Sequence, residues 1–243
     1  MLNLKESERL DDLQFCGLKI VQDKSLYSFT SDSVILANFI KIKRGESAVE
    51  IGSGSGVISI LASKKTNAKN ILGFEIQKQL YEMANKSLLI NNITNVKFVN
   101  DDVRNFKKYI GEESVDVVFS NPPYKKDGAA QKNDNPSKAM ARHEKFLPLV
   151  DLVKTASRML RFGGRAYFVY DADRSIEMIY ELKKNNLEPK RIFFTENGRG
   201  RVILFLVEAV KGGKPSVKVL PNLVTNDKNG NYIEEIKNGV WGE

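Results

Sequence analysis

The sequence predicts an α/β protein in which short buried strands alternate with helices and line up in one largely parallel sheet. Three observations carry this expectation. Val115-Asp116-Val117-Val118-Phe119 is a β-branched and aromatic run that stops at Asn121-Pro122-Pro123-Tyr124. Upstream, Ser47-Ala48-Val49-Glu50-Ile51 leads through Gly52-Ser53-Gly54-Ser55-Gly56 into Val57-Ile58-Ser59-Ile60-Leu61-Ala62-Ser63, which has helical apolar spacing. Between them, apolar runs around Ile71 and Val96 repeat the strand-and-helix rhythm.

The elements follow in order. Residues from about Leu13 to Phe29 alternate as a small β-hairpin does, with Gln22-Asp23-Lys24-Ser25 as its turn region. Thr30 or Ser31 can cap a helix that runs to about Ile40. Strands are expected at Val49, Ile71, Val96 and Val115, and Leu80, Ala84 and Leu88 form the core stripe of the helix after the second of these. A helix from about Glu144 to Leu160 is expected to end at Gly163-Gly164, before a strand from Arg165 to Tyr170. Asp173 begins the next helix, and Leu187 to Thr195 and Arg201 to Ala209 read as an antiparallel pair. The expectation is a single domain over 1–243, with an N-terminal hairpin and helix in 1–45, a core in 46–210 and a tail in 211–243.

Composition sets bounds on function. A chain of 243 residues with 42% apolar and 28% charged residues is ordinary for a globular domain. The net charge of +8 favours a polyanionic partner. Cys16 is the only cysteine, so no internal disulfide forms, and no C-x-x-C or histidine cluster suggests a metal. The N-terminus is charged rather than signal-like, and no apolar run reaches membrane-spanning length. A cytoplasmic monomer without a membrane or metal partner is the expectation.

The chemistry is suggested by what stands at the strand ends. Gly52, Gly54 and Gly56 let the backbone turn sharply and approach a ligand, and the helix that follows offers free N–H groups. The spacing is G-x-G-x-G rather than the dinucleotide pattern, and Glu50 just before it repels a pyrophosphate and attracts a cation. Glu75, at the end of the next strand, is placed for ribose hydroxyls. Asp101-Asp102 follow a third strand and suit an adenine amine. A cationic amino-acid end, a ribose and an adenine together describe S-adenosylmethionine. At Asn121 the side-chain oxygen and the Pro122 carbonyl can accept two hydrogen bonds from one –NH2 group, while Tyr124 stacks on its planar system. The tetrapeptide alone is equally a proline-rich turn; the glycine turn upstream decides for the site.

With these residues in view, the chain resembles class I S-adenosylmethionine-dependent methyltransferases that modify exocyclic amines and amides. It is more closely similar to the bacterial adenine methyltransferases of a valine tRNA, through Phe29-Thr30-Ser31-Asp32-Ser33-Val34-Ile35-Leu36-Ala37, Asn-Pro-Pro-Tyr, Ala141-Arg142-His143-Glu144 and Glu208-Ala209-Val210-Lys211-Gly212-Gly213-Lys214-Pro215. The resemblance implies a Rossmann-like, seven-stranded mixed sheet whose last strand is inserted antiparallel. It also implies cofactor contacts from Thr30, Asp32, Glu50, Gly52, Gly54, Gly56, Glu75, Asp102 and Asn121, with Asp32 near the methionine amine and Asp102 at the adenine. Asn121, Pro122 and Tyr124 would serve the reaction, and tRNA would be the partner. Lys125, Lys126, Arg142 and His143 are candidate RNA contacts, with Lys132 and Lys138 near phosphates. The blander readings are a solvated insertion for the lysines, a surface residue at a helix start for His143, and a first-turn acid for Asp32. Lys211, Lys214 and Lys218 equally suit a solvated tail.

Two other functions fit parts of the pattern. A glutamine-amide methyltransferase acting on a translation release factor also uses Asn-Pro-Pro-Tyr, but such enzymes carry a sizeable helical domain before the glycine motif, where this chain has about forty-five residues. A non-enzymatic RNA-binding protein with a relict cofactor pocket would not need Glu50, Glu75, Asp102 and Asn121 together.

Overall fold

Strands covered on both faces must alternate apolar side chains to either side, and β7 (Leu160–Asp171) does so: Tyr167 and Val169 join one core layer, Ala166, Phe168 and Tyr170 the other. The computed structural model describes residues 4–26, 28–123, 147–227 and 229. The sheet contains β3 (Ser47–Ile51), β4 (Asn70–Phe74), β5 (Val96–Val99), β6 (Val115–Ser120), β7, β8 (Leu187–Glu196) and β9 (Val202–Lys211). Its order is β8-β9-β7-β6-β3-β4-β5, with β3 to β7 parallel and β9 antiparallel between β7 and β8. The seven-stranded mixed arrangement is therefore present. From β3 the chain steps outward to β4 and β5, then returns to place β6 on the other side of β3. That reversal opens a crevice at the carboxyl ends of β3 and β6, where open α/β sheets bind ligands.

Helices cover both faces. α1 (Ser31–Phe39), α2 (Val57–Lys65) and α3 (Lys78–Ile90) supply Leu36, Ile60 and Ala84 to one core layer. α4 (Leu149–Met159), α5 (Ser175–Lys184) and a 3-10 turn over Val103–Lys108 supply Leu152, Leu182 and Phe106 to the other. Leu80, Ala84 and Leu88 on α3 are buried as their spacing requires, joined by Met83. No helix among the described residues is long and apolar enough to cross a membrane.

Three sequence expectations need correction. The hairpin pairs β1 (Glu8–Asp12) with β2 (Lys19–Asp23), so its connection is 13–18 and Gln22-Asp23 belong to a strand. The apolar residues that suggest the hairpin lie in the connection and in β2, because β1 is largely charged. β2 docks on α3, where the Val21 N–H donates to Ser87 Oγ at 2.9 Å. The helix expected from Glu144 begins, within the described residues, at Leu149 behind Pro148, whose ring disfavours a helical residue before it. That helix stops at Met159, and Gly163-Gly164 lie in a bulge of β7, where four residues separate the partners of Val115 and Val117.

The third correction is Lys211, whereas Lys214 and Lys218 are exposed as in a solvated tail. Lys218–Val219 (β10) and Leu223–Val224 (β11) pair in parallel with β8 and extend the sheet. Lys211 is buried, and its ammonium donates to the carbonyls of Ser157 and Leu160, both at 2.8 Å, and to Glu113 at 2.7 Å. It satisfies carbonyls that the end of α4 leaves unbonded. Lys211→Met should strand those acceptors at a cost of about 1–3 kcal/mol, lowering Tm by ~2–12 °C. Thermal unfolding followed by circular dichroism checks this; an unchanged Tm would return Lys211 to the solvated surface.

Candidate functional site

The carboxyl ends of β3, β4 and β6 lie side by side. Glu50 is in register with Gly73 on one side and Phe119 on the other, and Ser120 Oγ donates to the Ile51 carbonyl at 2.7 Å. Beyond β3 the chain turns with φ of 71° at Gly52, 54° at Gly54 and 87° at Gly56, values that favour glycine. The three glycines differ in what surrounds them. A Cβ on Gly52 or Gly54 would meet nothing within 4 Å, so the turn presents an open face. A Cβ on Gly56 would stand 2.6 Å from the Phe98 ring, which makes Gly56 a packing requirement of α2 against β5. The turn is closed by the Ser53 N–H on the Phe74 carbonyl at 2.9 Å and the Gly56 N–H on Ser53 at 2.8 Å.

Two buried acids stand behind this turn, Glu75 bonded to it and Glu50 to α2. Glu50 has no exposed surface; one carboxyl oxygen accepts from the Ser59 N–H at 3.1 Å and from the Ser59 hydroxyl, and the other has no partner. Burial pushes its pKa up to about 8, with neighbouring Glu75 acting the same way against the two Ser59 bonds. Glu75, also buried, accepts from the Gly54 N–H at 2.7 Å and the Gln77 N–H at 2.8 Å, and burial raises its pKa as well. An unpartnered buried oxygen beneath an open glycine turn fits a ligand that brings a cationic amine.

The remaining predicted residues are placed as follows. Asp102 accepts from the Arg104 N–H at 2.8 Å and is forked by the Arg104 guanidinium, which holds its carboxyl below the usual range. Its side chain keeps 23% of its surface, so any ligand there shares it with Arg104. Asp101 is committed to Asn105, Lys108 and Tyr109. Asn121 Nδ2 donates to Ser33 Oγ at 3.0 Å, which brings the first turn of α1 to the end of β6. Thr30 is the extended N-cap residue of α1, and Asp32 accepts from Ser31 Oγ at 3.3 Å in its first turn. Pro122 is buried beside Asn121. Tyr124, Lys125, Lys126, Lys132, Lys138, Arg142 and His143 lie outside the described residues.

Sequence reasoning missed Ser33, Ser59 and Arg104. Ser59 carried a signal, a hydroxyl flanked on both sides by apolar residues of α2; Ser33 and Arg104 had none without the fold. A cavity of about 510 Å³ lined by Ser47, Asn70, Val96 and Tyr109 opens at the opposite ends of the strands and holds none of the predicted site residues.

An order reversal beside β3, with a glycine turn opening onto it, defines the ligand crevice of a class I methyltransferase fold. The family model described as methyltransferase small domain matches residues 18–188, and the chain belongs to that family of S-adenosylmethionine-dependent methyltransferases. A tRNA1(Val) (adenine(37)-N6)-methyltransferase of Haemophilus influenzae is 25% identical over 230 residues, covering 90% of this chain and 92% of that protein. A putative protein N5-glutamine methyltransferase of Methanocaldococcus jannaschii is 31% identical over 119 residues, 49% of this chain and 57% of that protein. Among solved structures, a predicted O-methyltransferase of Agrobacterium tumefaciens is similar with a TM-score of 0.68 at 18% identity, covering 87% of this chain and 98% of that one. That likeness concerns the fold alone.

The raised Glu50 pKa has a signed consequence. The folded carboxyl keeps its proton up to about pH 8, whereas the unfolded one loses it near its ordinary value of 4.5, so stability falls as pH rises between the two. Without cofactor, the wild type should lose at least about 1 kcal/mol more than Glu50→Gln between about pH 5.5 and pH 8, a Tm difference of ~2–4 °C. Scanning calorimetry of both proteins decides it, and equal pH slopes would mean that Glu50 ionises normally.

Proposed function

We propose that this protein transfers the methyl group of S-adenosylmethionine to the exocyclic amine of an adenine in tRNA, the anticodon-loop adenine of a valine tRNA. The observation that carries the reading is Asn121. Its amide nitrogen is held by Ser33, and among the described residues neither its Oδ1 nor the Pro122 carbonyl accepts a hydrogen bond. Two acceptors therefore stand together at the end of β6, beside the glycine turn.

The cofactor, when bound, supplies a sulfonium methyl as the electrophile. The unpartnered oxygen of Glu50 suits the methionine ammonium, with Asp32 and Thr30 near the same end, and Gly52 and Gly54 leave room for the chain to pass close. Glu75 suits the ribose hydroxyls, and Asp102 the adenine amine alongside Arg104. For the acceptor, Asn121 Oδ1 and the Pro122 carbonyl take the two N–H bonds of the amine and hold its nitrogen in line. As the N–C bond formed and the methyl's bond to sulfur broke to leave a neutral thioether, positive charge would grow on that nitrogen and both acceptors would stabilise it. The surplus proton then leaves to solvent.

Support for the nucleic-acid substrate comes from the near full-length match to the Haemophilus protein and from the net charge of +8. An anticodon-loop base is also easier to unstack than a duplex base. The amide reading rests on a match over half the chain.

Incubation with unmodified total tRNA and labelled cofactor, followed by nucleoside mass spectrometry, should yield labelled N6-methyladenosine. Label appearing as N5-methylglutamine in a release factor, with none in tRNA, would replace this reading by the amide one. In the same assay Asn121→Ala should bind the cofactor nearly as before by calorimetry, since Asn121 is one of several expected contacts, and lose about 10²-fold or more in single-turnover rate. Wild-type turnover in that variant would move the site elsewhere.

A further inference from the structure

We infer that Ser33 is a positioning residue for the transfer step, acting through Asn121; the inference rests on the site reading above. A primary carboxamide has nearly equal oxygen and nitrogen ends, and its terminal torsion is broad and roughly two-fold. Only one of its two orientations serves an incoming –NH2 group. With Oδ1 towards the amine, the contact is donor to acceptor; with Nδ2 there, two donors face each other. The productive orientation leaves Nδ2 pointing back into the protein, where it needs an acceptor.

Ser33 is that acceptor. It lies in the first turn of α1, is 5% exposed, and takes the Asn121 Nδ2–H on its hydroxyl oxygen at 3.0 Å. The other buried residues of the helix are Ile35, Leu36, Ala37 and Phe39, so Ser33 is the one hydroxyl on its buried side. Its backbone is fixed by its own N–H on the Thr30 carbonyl at 3.1 Å. Ser33→Ala would leave Nδ2 facing a methyl group in the productive orientation. The reversed orientation would leave Oδ1 facing that methyl group instead, so neither end is held and the carboxamide is free to turn. The hydroxyl thus anchors the carboxamide, by its Nδ2 end in this structure, before the substrate arrives, and α1 becomes part of the transfer site although it carries no group that touches the amine.

The loss of one such hydrogen bond should lower the single-turnover rate of Ser33→Ala about three- to tenfold at saturating cofactor and tRNA. Cofactor affinity should stay near wild type, and Tm should fall by no more than ~1–6 °C. Placed on Asn121→Ala, the same substitution should cause no further loss, since there is no amide left to orient. An unchanged rate in Ser33→Ala, or an equal loss in both backgrounds, overturns the inference. If the wild type methylates a protein glutamine instead of tRNA, the tRNA reading fails by itself, and the same four proteins compared on that substrate still decide Ser33.

A second readout needs no substrate. The Asn121 side-chain amide signals in a nitrogen–proton correlation spectrum, assigned by their absence in Asn121→Ala, should exchange with water about tenfold faster in Ser33→Ala. An unchanged exchange rate shows that the amide is not held there.

Discussion

Two carboxyl groups with almost no access to water, Glu50 and Glu75, sit at the ends of adjacent strands, and the local structure is arranged around keeping them there. Burying a carboxylate is costly unless its oxygens are bonded. Glu75 meets this with two backbone N–H groups, one from Gly54 in the turn and one from Gln77 at the start of α3. It thereby ties the β3 turn to the β4 connection. Glu50 meets it by half, through Ser59 on α2, and keeps one oxygen without a partner. A fold that needed only stability would place an apolar residue there. The retained acid and the open space at Gly52 and Gly54 support the proposal that a ligand with a cationic amine sits there.

The crevice is closed on its far side by contributions distant in sequence. Ser33 reaches Asn121 across 88 positions, and Asn100 bonds the carbonyls of Glu75 and Ile76 at 2.8 and 3.0 Å, fixing the exit from β4. The N-terminal hairpin holds the same assembly from outside, since β2 packs Val21 against Leu80 and Met83 of α3. The N-terminal segment is therefore part of the site's scaffold.

Much of this was legible in the sequence because buried parallel strands are written as short β-branched runs, and glycine is the residue that a left-handed turn requires. Hence β3 to β9, the glycine turn and the acids at the ends of β3 and β4 could all be located. What escaped has common physical causes. β1 is polar, so no alternation marks it. The end of α4 was misjudged because a glycine pair suits a β-bulge as well as a helix end. Ser33 and Arg104 act on partners chosen by tertiary structure, as does Lys211, whose sequence neighbours are ordinary tail residues. The three glycines looked alike in the motif, and only the position of the Phe98 ring separates Gly56, needed for packing, from the two that border open space.

The central claim is that the crevice at the ends of β3, β4 and β6 receives the cofactor with Asn121 already oriented beside it. A crystal structure with S-adenosylhomocysteine tests this most directly. The amino-acid end of the ligand should lie against Glu50 and the Gly52–Gly54 turn, its ribose hydroxyls on Glu75, and Asn121 should keep Nδ2 on Ser33 with Oδ1 facing the space beside the sulfur. Ligand density in the cavity where β3 to β5 begin, or a Glu50 oxygen still without a partner in the complex, would contradict the account.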